Sequence, residues 1–384
     1  MSETYYYLDH AAATPVDERV FAVMQPYFNE HFFNPSSPYA PAVAVRHDYE
    51  DAKARLAATF GAKADELVIT AGATESINLA FHGVKGHVVT SKIEHHAVLA
   101  TAQLYDHTLI EPTEKGIITP ESVASELRPN TELVSIQLAN NEIGTVQPLR
   151  EIAAVIETER KKRQVAGNTT PLLFHTDASQ GFGQIDVHVA RLGVDMLTLN
   201  SGKMYGPKQV GLLWLKLGVT REPLIVGGGQ ERNLRSGTEN VAGVVGFAKA
   251  AELAEKHRKG ESERLSQLRN TMEKELQESF PDMVVSGHSK KRLPGNLHIA
   301  FPGLDGERLV FRLDAKRVLV ATGSACAANK GTRSHVLTAL NLPDDVADGS
   351  LRITLGRMSD EKTVKEATEI MKNEISAEYK RVRR

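Results

Sequence analysis

Met196-Leu-Thr-Leu-Asn-Ser-Gly-Lys203-Met-Tyr-Gly-Pro207 joins a short apolar run to a turn that carries one lysine. Met196–Leu199 reads as a buried strand. Asn200, Ser201 and Gly202 end it in a turn, and Gly206-Pro207 stops any helix that would follow. Lys203 therefore stands just past the carboxyl end of a strand, with its amine at the mouth of a cleft. Apolar walls disfavour the charged ammonium. A neutral amine attacks an aldehyde and forms a Schiff base. A single loop lysine is more often merely solvated, so this reading depends on what the rest of the chain supplies.

Outward from this stretch, strand-like runs recur at Leu67–Thr70, His87–Thr90, Leu133–Leu138, Leu172–Thr176 and Gly211–Leu217. Amphipathic stretches lie between them, among them Ala42–Phe60, Ser122–Leu127 and Arg150–Arg163. Near-continuous apolar strands with helical crossovers predict an α/β fold whose mostly parallel sheet is covered on both faces. Ligands of such sheets sit beyond the carboxyl ends of the strands. After Asn240 the texture changes. Two long helices are expected, Val241–Lys256 and Glu261–Phe280, joined by a basic link from His257 to Gly260. Beyond them come strands Asn296–Phe301, Val318–Thr322 and Leu351–Leu355 and helices Gly306–Lys316, Ser334–Leu340 and Asp360–Arg381, a compact α+β tail. The expected division is a large domain over 15–256 and a smaller α+β domain built from 1–14 and 257–384.

The totals exclude several classes. A net charge of -2 over 384 residues offers nothing to nucleic acid or an acidic membrane surface. No run approaches the roughly 18 apolar residues of a membrane helix. Met1-Ser-Glu-Thr-Tyr5 shows no secretory signal, so a cytoplasmic location is expected. Cys326 is the sole cysteine, which rules out an intramolecular disulfide and a multi-cysteine zinc site.

Partners for a phosphorylated aromatic aldehyde appear along the chain. After Leu67–Thr70, the small residues Ala71-Gly72-Ala73-Thr74 open a helix at Glu75–Val84, and a helix start with unpaired N–H groups attracts an anion. Gly227-Gly-Gly-Gln230-Glu-Arg-Asn-Leu-Arg235-Ser-Gly-Thr238 is a second anion candidate through Arg232, Arg235 and Thr238. Asp177 follows the strand Leu172–Thr176 and is placed to pair with a protonated pyridine nitrogen. At about 4 Å and an effective dielectric of about 20 that attraction is about 4 kcal/mol. It would keep the ring an electron sink. Gln180 and Asn141 are close enough in sequence to strand ends to donate to a ring oxygen. In Glu94-His95-His96, one imidazole can stack on a planar ring and move protons near neutral pH. Cys326 lies among Gly, Ser, Ala and Asn, too little bulk to bury it, so its thiol can reach a substrate. Arg352, on Leu351–Leu355, can grip a carboxylate through two parallel hydrogen bonds.

In order and spacing these motifs resemble the group I cysteine desulfurases of the class V aminotransferase family. The resemblance runs from Tyr7-Leu-Asp-His-Ala-Ala-Ala-Thr-Pro15 through Asn34-Pro-Ser-Ser37, Gly72-Ala-Thr-Glu-Ser76, Glu94-His95 and Asn140-Asn-Glu-Ile-Gly144. It continues through Asp177-Ala-Ser-Gln180, Lys203, Arg235-Ser-Gly-Thr238, Gly323-Ser-Ala-Cys326 and Leu355-Gly-Arg357. It implies the fold type I architecture of enzymes dependent on pyridoxal 5'-phosphate, with a seven-stranded type of sheet in the large domain. It implies that cofactor linked to Lys203, with ring contacts from His95, Asp177, Gln180 and Asn141. Phosphate contacts would come from Ala73, Thr74 and Ser201, with Thr238 supplied by the second subunit of a homodimer. Arg352 and Asn34 would hold the carboxylate of L-cysteine. Cys326 would take the sulfur as a persulfide and pass it to an acceptor protein, such as an iron–sulfur scaffold or a component of transfer RNA thiolation. Selenocysteine lyases and other class V enzymes share the scaffold and are the alternative. The chain departs from the family at Gly202, where histidine is usual before the lysine, and at Asn200, where serine is usual.

Overall fold

The computed structural model describes residues 5–323 and 333–383. Strand β1 (Tyr6–Tyr7) precedes β2 (Leu67–Thr70), β3 (His87–Ser91), β4 (His107–Ile110), β5 (Thr131–Ser135), β6 (Leu173–Asp177), β7 (Met196–Asn200) and β8 (Gly211–Leu215). They are followed by β9 (Val284–Val285), β10 (Asn296–Ala300), β11 (Val318–Leu319) and β12 (Ser350–Thr354). The main sheet has seven strands in the order β2-β8-β7-β6-β5-β3-β4. Only β8 runs against its neighbours. The pairs from β7 to β4 are all parallel, so the mostly parallel sheet expected from the sequence is present. Its strands are apolar on both faces because helices cover both. Leu56, Phe60, Val134, Phe174, Leu197, Leu199 and Phe247 are fully buried in one continuous core.

A second core lies around the antiparallel sheet β12-β10-β9 and holds Leu297, Ile299, Leu309, Leu351, Ile353 and Met371. The N-terminus joins this unit: β1 pairs with β11 in parallel, and Asp9 bridges to Thr354.

The two helices expected after Asn240 are one helix, Val241–Ser279, of 39 residues. The basic stretch that reads as a link is a solvated turn of it. Arg258 pairs with Glu255 and Arg264 with Glu261, both three residues apart on one helix face. Gly260 costs about 1 kcal/mol relative to alanine there, too little to break a helix anchored at both ends. Val244, Phe247 and Ala251 sit in the first core and Leu265, Met272 and Leu276 in the second, so one rod spans both. Strand β4 was not expected. It is an edge strand whose His107, Thr108 and Leu109 are only half-buried, and its pattern is correspondingly mixed. The run Gly211–Leu217 stops pairing at Leu215, and Leu217 is exposed on a turn.

Candidate active site

The sheet brings its functional loops to one end. The register places Asp177 of β6 opposite Thr198 of β7, and Asn200 of β7 opposite Gly211 of β8. Thr70 of β2 pairs with the same Gly211. The loops after β2, β3, β5, β6 and β7 therefore all leave from the carboxyl side of the sheet.

Lys203 closes a single 3-10 turn, Ser201–Lys203, after β7. The Asn200 side chain caps that turn by accepting from the Gly202 N–H at 3.1 Å. Tyr205 and Gln209 hold left-handed backbone at φ 64° and 59°, which folds the chain back toward β8. Gly206 is required: a Cβ there would lie 2.1 Å from Ser201 Oγ. The segment after β1 clasps the turn from the other side. Thr14 Oγ1 donates to the Gly202 carbonyl at 3.1 Å and accepts from the Tyr205 N–H at 2.9 Å. Lys203 Nζ donates to the carbonyls of Ala11 and Ala12, each at 2.7 Å. Gln180 Nε2 donates to the same Ala11 oxygen at 3.1 Å. Lysine and glutamine are thus gathered on one backbone atom.

His95 caps the helix His96–Ala102, accepting at Nδ1 from the Ala97 N–H at 3.1 Å. An accepting Nδ1 leaves Nε2 as the protonated nitrogen of a neutral ring. Burial lowers the pKa of His95. The neighbouring Asp177 opposes the shift, Lys203 and His335 reinforce it, and Glu142 opposes it. His95, Asp177 and Lys203 therefore share one electrostatic environment. The Asp177 strand is itself fixed by His175, whose Nδ1 meets Ser135 Oγ at 2.8 Å and whose Nε2 meets Thr198 Oγ1 at 3.0 Å. Full burial depresses His175 to about 3, so it is a neutral crosslink between three strands. Asp177 Oδ1 accepts from the Ser179 N–H at 2.9 Å, which orders the turn leading to Gln180. Asn141 is half-buried in the loop after β5. Its neighbour Asn140 is wholly buried and structural, donating to the Ile93 carbonyl at 2.8 Å.

Glu94, one residue before His95, is 1% exposed and accepts from Ser91 Oγ and the Gln137 N–H. Burial raises its pKa to about 8, against the lowering by those hydrogen bonds, and the Asp177 charge raises it further. Between 4.5 and about 8 the folded state holds a proton that the unfolded state has released. The stability from this group is fully present below the unfolded value and is lost as pH rises through about 8. Glu94→Gln removes the titration. The unfolding free energy of the variant is expected to gain on that of the wild type as pH rises across that window, by at most about 5 kcal/mol. Unfolding free energies that run parallel at all pH values would contradict the raised value.

The small-residue loop after β2 opens the helix Ala73–Phe81. Gly72 has φ 143°, a conformation left to glycine, and a Cβ there would meet nothing within 4 Å. Helix Ala73–Phe81 begins at once, so its first N–H groups face open space. Ser201 Oγ is buried with no hydrogen-bond partner. A cavity of about 550 Å³ is lined by Gly72, Ala73, Thr74, Asn200, Lys203 and Lys208, among others. A bare glycine cradle, a helix start, Thr74 and Lys203 on one cavity fit a phosphorylated aldehyde. The loop from Gly227 is held by Glu231, which accepts from Tyr49 Oη, Lys53 Nζ and the Ile69 N–H. Arg235 is engaged there by Glu75 at 2.9 Å rather than offered to an anion. Thr238 is exposed.

Arg352 is 1% exposed and donates through Nη2 to Asp9 Oδ1 at 2.6 Å, while its Nε is buried without a partner. Asn34 is exposed, and its side-chain oxygen accepts from the Ser36 N–H at 2.9 Å. Cys326 lies outside the described residues. Sequence reasoning missed the contribution of Ala11 and Ala12, which act through carbonyls and carry no side-chain signal. It also missed Glu94, Glu142 and His335, which hold the loops that carry the named residues.

The family model described as Aminotransferase class-V matches residues 6–366. Cysteine desulfurase IscS of Dictyoglomus turgidum is 41% identical over 362 residues, covering 91% of this chain and 89% of that protein. Cysteine desulfurase IscS 1 of Archaeoglobus fulgidus is 40% identical over 380 residues, covering 95% of each chain. Among solved structures, one described as a NifS-like protein superposes with a TM-score of 0.87 at 30% identity, over 97% of this chain and all of that one. Another, SspA in complex with cysteine, gives 0.77 at 34% identity, over 92% of this chain and 99% of that one.

Proposed function

The chain belongs to the class-V aminotransferase family, and we propose that it is a cysteine desulfurase dependent on pyridoxal 5'-phosphate. The net reaction is L-cysteine plus a protein thiol giving L-alanine plus a protein persulfide. The observation that carries the reading is Lys203 on the lining of a cavity that also holds the Gly72 cradle and the start of helix Ala73–Phe81. Relatives named cysteine desulfurase match over nearly the whole chain and support it.

Bound there, the cofactor supplies an electron sink that stabilises negative charge on the substrate carbons. The chain's own residues do the rest. Lys203 would hold the cofactor through its amine and, once displaced by the substrate amine, carry the proton to and from the substrate Cα. Asp177 would keep the ring nitrogen protonated. His95, held neutral by burial, would lie on the ring and take the proton of the substrate thiol. Gln180 and Asn141 would meet the ring oxygen. Ala73, Thr74 and Ser201 would bind the phosphate, joined by Thr238 from the second subunit of a homodimer. Arg352 would exchange part of its Asp9 contact for the substrate carboxylate, with Asn34 beside it. Cys326 would accept the sulfur and deliver it to an acceptor protein such as an iron–sulfur scaffold. A division into a large domain over 15–256 and a small one over 1–14 and 257–384 would put these groups in the cleft between the two. Among the described residues no helix is long and apolar enough to cross a membrane, and a cytoplasmic setting fits a chain with one reactive thiol.

The test loads the reconstituted protein with L-cysteine and weighs its peptides without reductant. The peptide containing Cys326 is expected to gain one sulfur atom while alanine accumulates. Accumulation of a keto acid with no added sulfur would mean transamination and would sink the reading.

A further inference from the structure

We infer that Arg235 is a positioning residue for the cofactor phosphate: it stands outside the cavity, where it neutralises and holds Glu75, the carboxylate that pins the cradle. This rests on the reading of the cavity as a pyridoxal 5'-phosphate site and goes beyond it to a residue behind the cavity wall.

The wall contains a group that a phosphate should avoid. Glu75 lines the same cavity as Gly72, Ala73, Thr74, Lys203 and Lys208, whereas Arg235 lies outside that lining. Glu75 is the third residue of the helix Ala73–Phe81. Its Oε2 reaches back to accept from the Ala71 N–H at 2.9 Å. That bond fixes the residue ahead of Gly72, whose φ of 143° opens the cradle. It also sets a negative charge at the helix start, where the peptide dipoles favour an anion. The carboxylate therefore competes with phosphate for the same partial positive charge.

Arg235 removes the conflict. Its Nε donates to Glu75 Oε1 at 2.9 Å, so the two carboxylate oxygens are divided between the cradle and the guanidinium. The two side chains are only 26% and 15% exposed, so solvent and salt screen the pair less than at an open surface. The guanidinium is carried on a fixed piece of backbone. Arg235 bridges to Ile225, and the Ser236 N–H donates to the Ile225 carbonyl at 2.9 Å. Leu234 packs into the core that holds Val68 of β2 and Ile77 of the helix. Glu231 ties the same loop to β2, accepting from the Ile69 N–H at 2.7 Å and from Lys53 Nζ at 3.2 Å. The strand and helix that frame the cradle and the loop that carries Arg235 are thus one packed unit.

The experiment titrates the cofactor-free full chain with pyridoxal 5'-phosphate and, separately, with pyridoxal, which lacks the phosphate. Both titrations read the absorbance of the lysine-linked aldehyde. Arg235→Ala strands the Glu75 charge and is expected to weaken binding of pyridoxal 5'-phosphate by about 10- to 100-fold, while pyridoxal moves by less than about threefold. Arg235→Gln keeps a donor for Glu75 without the charge. It should show most of the same loss, and it decides the matter if Arg235→Ala does not fold. Arg235→Lys keeps the charge and should stay closer to wild type. Adding Glu75→Gln to Arg235→Gln removes the stranded charge, keeps an acceptor for the Ala71 N–H, and should recover much of the loss. Equal losses for the two ligands, wild-type affinity for pyridoxal 5'-phosphate in Arg235→Gln, or no recovery in the double variant would overturn the inference. A wild-type chain that binds pyridoxal 5'-phosphate no more tightly than pyridoxal would instead remove the reading of the cavity itself.

Discussion

Lys203→Ala is expected to lower alanine release from L-cysteine by about a thousandfold or more. The loss has two sources that the geometry keeps on one atom. On the proposed reading the amine would be the covalent tether for the cofactor and the base that moves the Cα proton. Its Nζ is already drawn to the cleft by the carbonyls of Ala11 and Ala12, both at 2.7 Å, so no search through rotamers precedes either role. Lys208 also lines the cavity, with its Nζ on the Thr14 carbonyl at 2.8 Å. The variant should fold, since the turn is held by the Asn200 cap and the Thr14 clasp rather than by the lysine. The checks are alanine release, the yellow absorbance of the reconstituted protein and partial rescue by a small primary amine. Turnover within tenfold of wild type would end the assignment of Lys203.

The strand–turn–lysine unit was legible because four apolar residues and three turn formers suffice to place it. Gly72 was legible for the same local reason, and the structure adds only the φ of 143° that makes the glycine necessary. What local reading could not supply is pairing at long range. Arg352 meets Asp9 across 343 positions, and neither residue announces the other. Lys203 is gathered by Ala11 and Ala12 from nearly two hundred positions away, through atoms that every residue possesses. The continuous helix Val241–Ser279 was hidden by its own surface charge. His257 to Gly260 looks like a link until the i, i+3 pairs Arg258–Glu255 and Arg264–Glu261 are seen to brace the helix around it. Buried carboxyls are the hardest case. Glu94 and Glu142 read as surface residues by composition, yet both are 1% exposed and tie the site's loops together.

Cys326→Ala separates the desulfurase reading from every other chemistry on this scaffold. Alanine release from L-cysteine is expected to fall about a thousandfold or more, a change of about 4 kcal/mol in the barrier. The reason is stoichiometric as much as kinetic. Breaking the substrate Cβ–S bond with the pair left on Cβ requires a nucleophile to take the sulfur, and the chain has one cysteine, so no second thiol can stand in. At neutral pH only about a few per cent of an unperturbed thiol is thiolate, but thiolate is a far better sulfur acceptor than any hydroxyl. Cys326→Ser should therefore behave as Cys326→Ala does. Turnover of L-cysteine sulfinate should persist in both variants, because its sulfur departs without an acceptor. A selenocysteine lyase or an aminotransferase makes the opposite forecast: neither chemistry needs a loop thiol, so removing it would leave the preferred substrate untouched. Native rates of alanine release from L-cysteine in Cys326→Ala would leave the cleft intact as a cofactor site and take away its assignment as a sulfur donor.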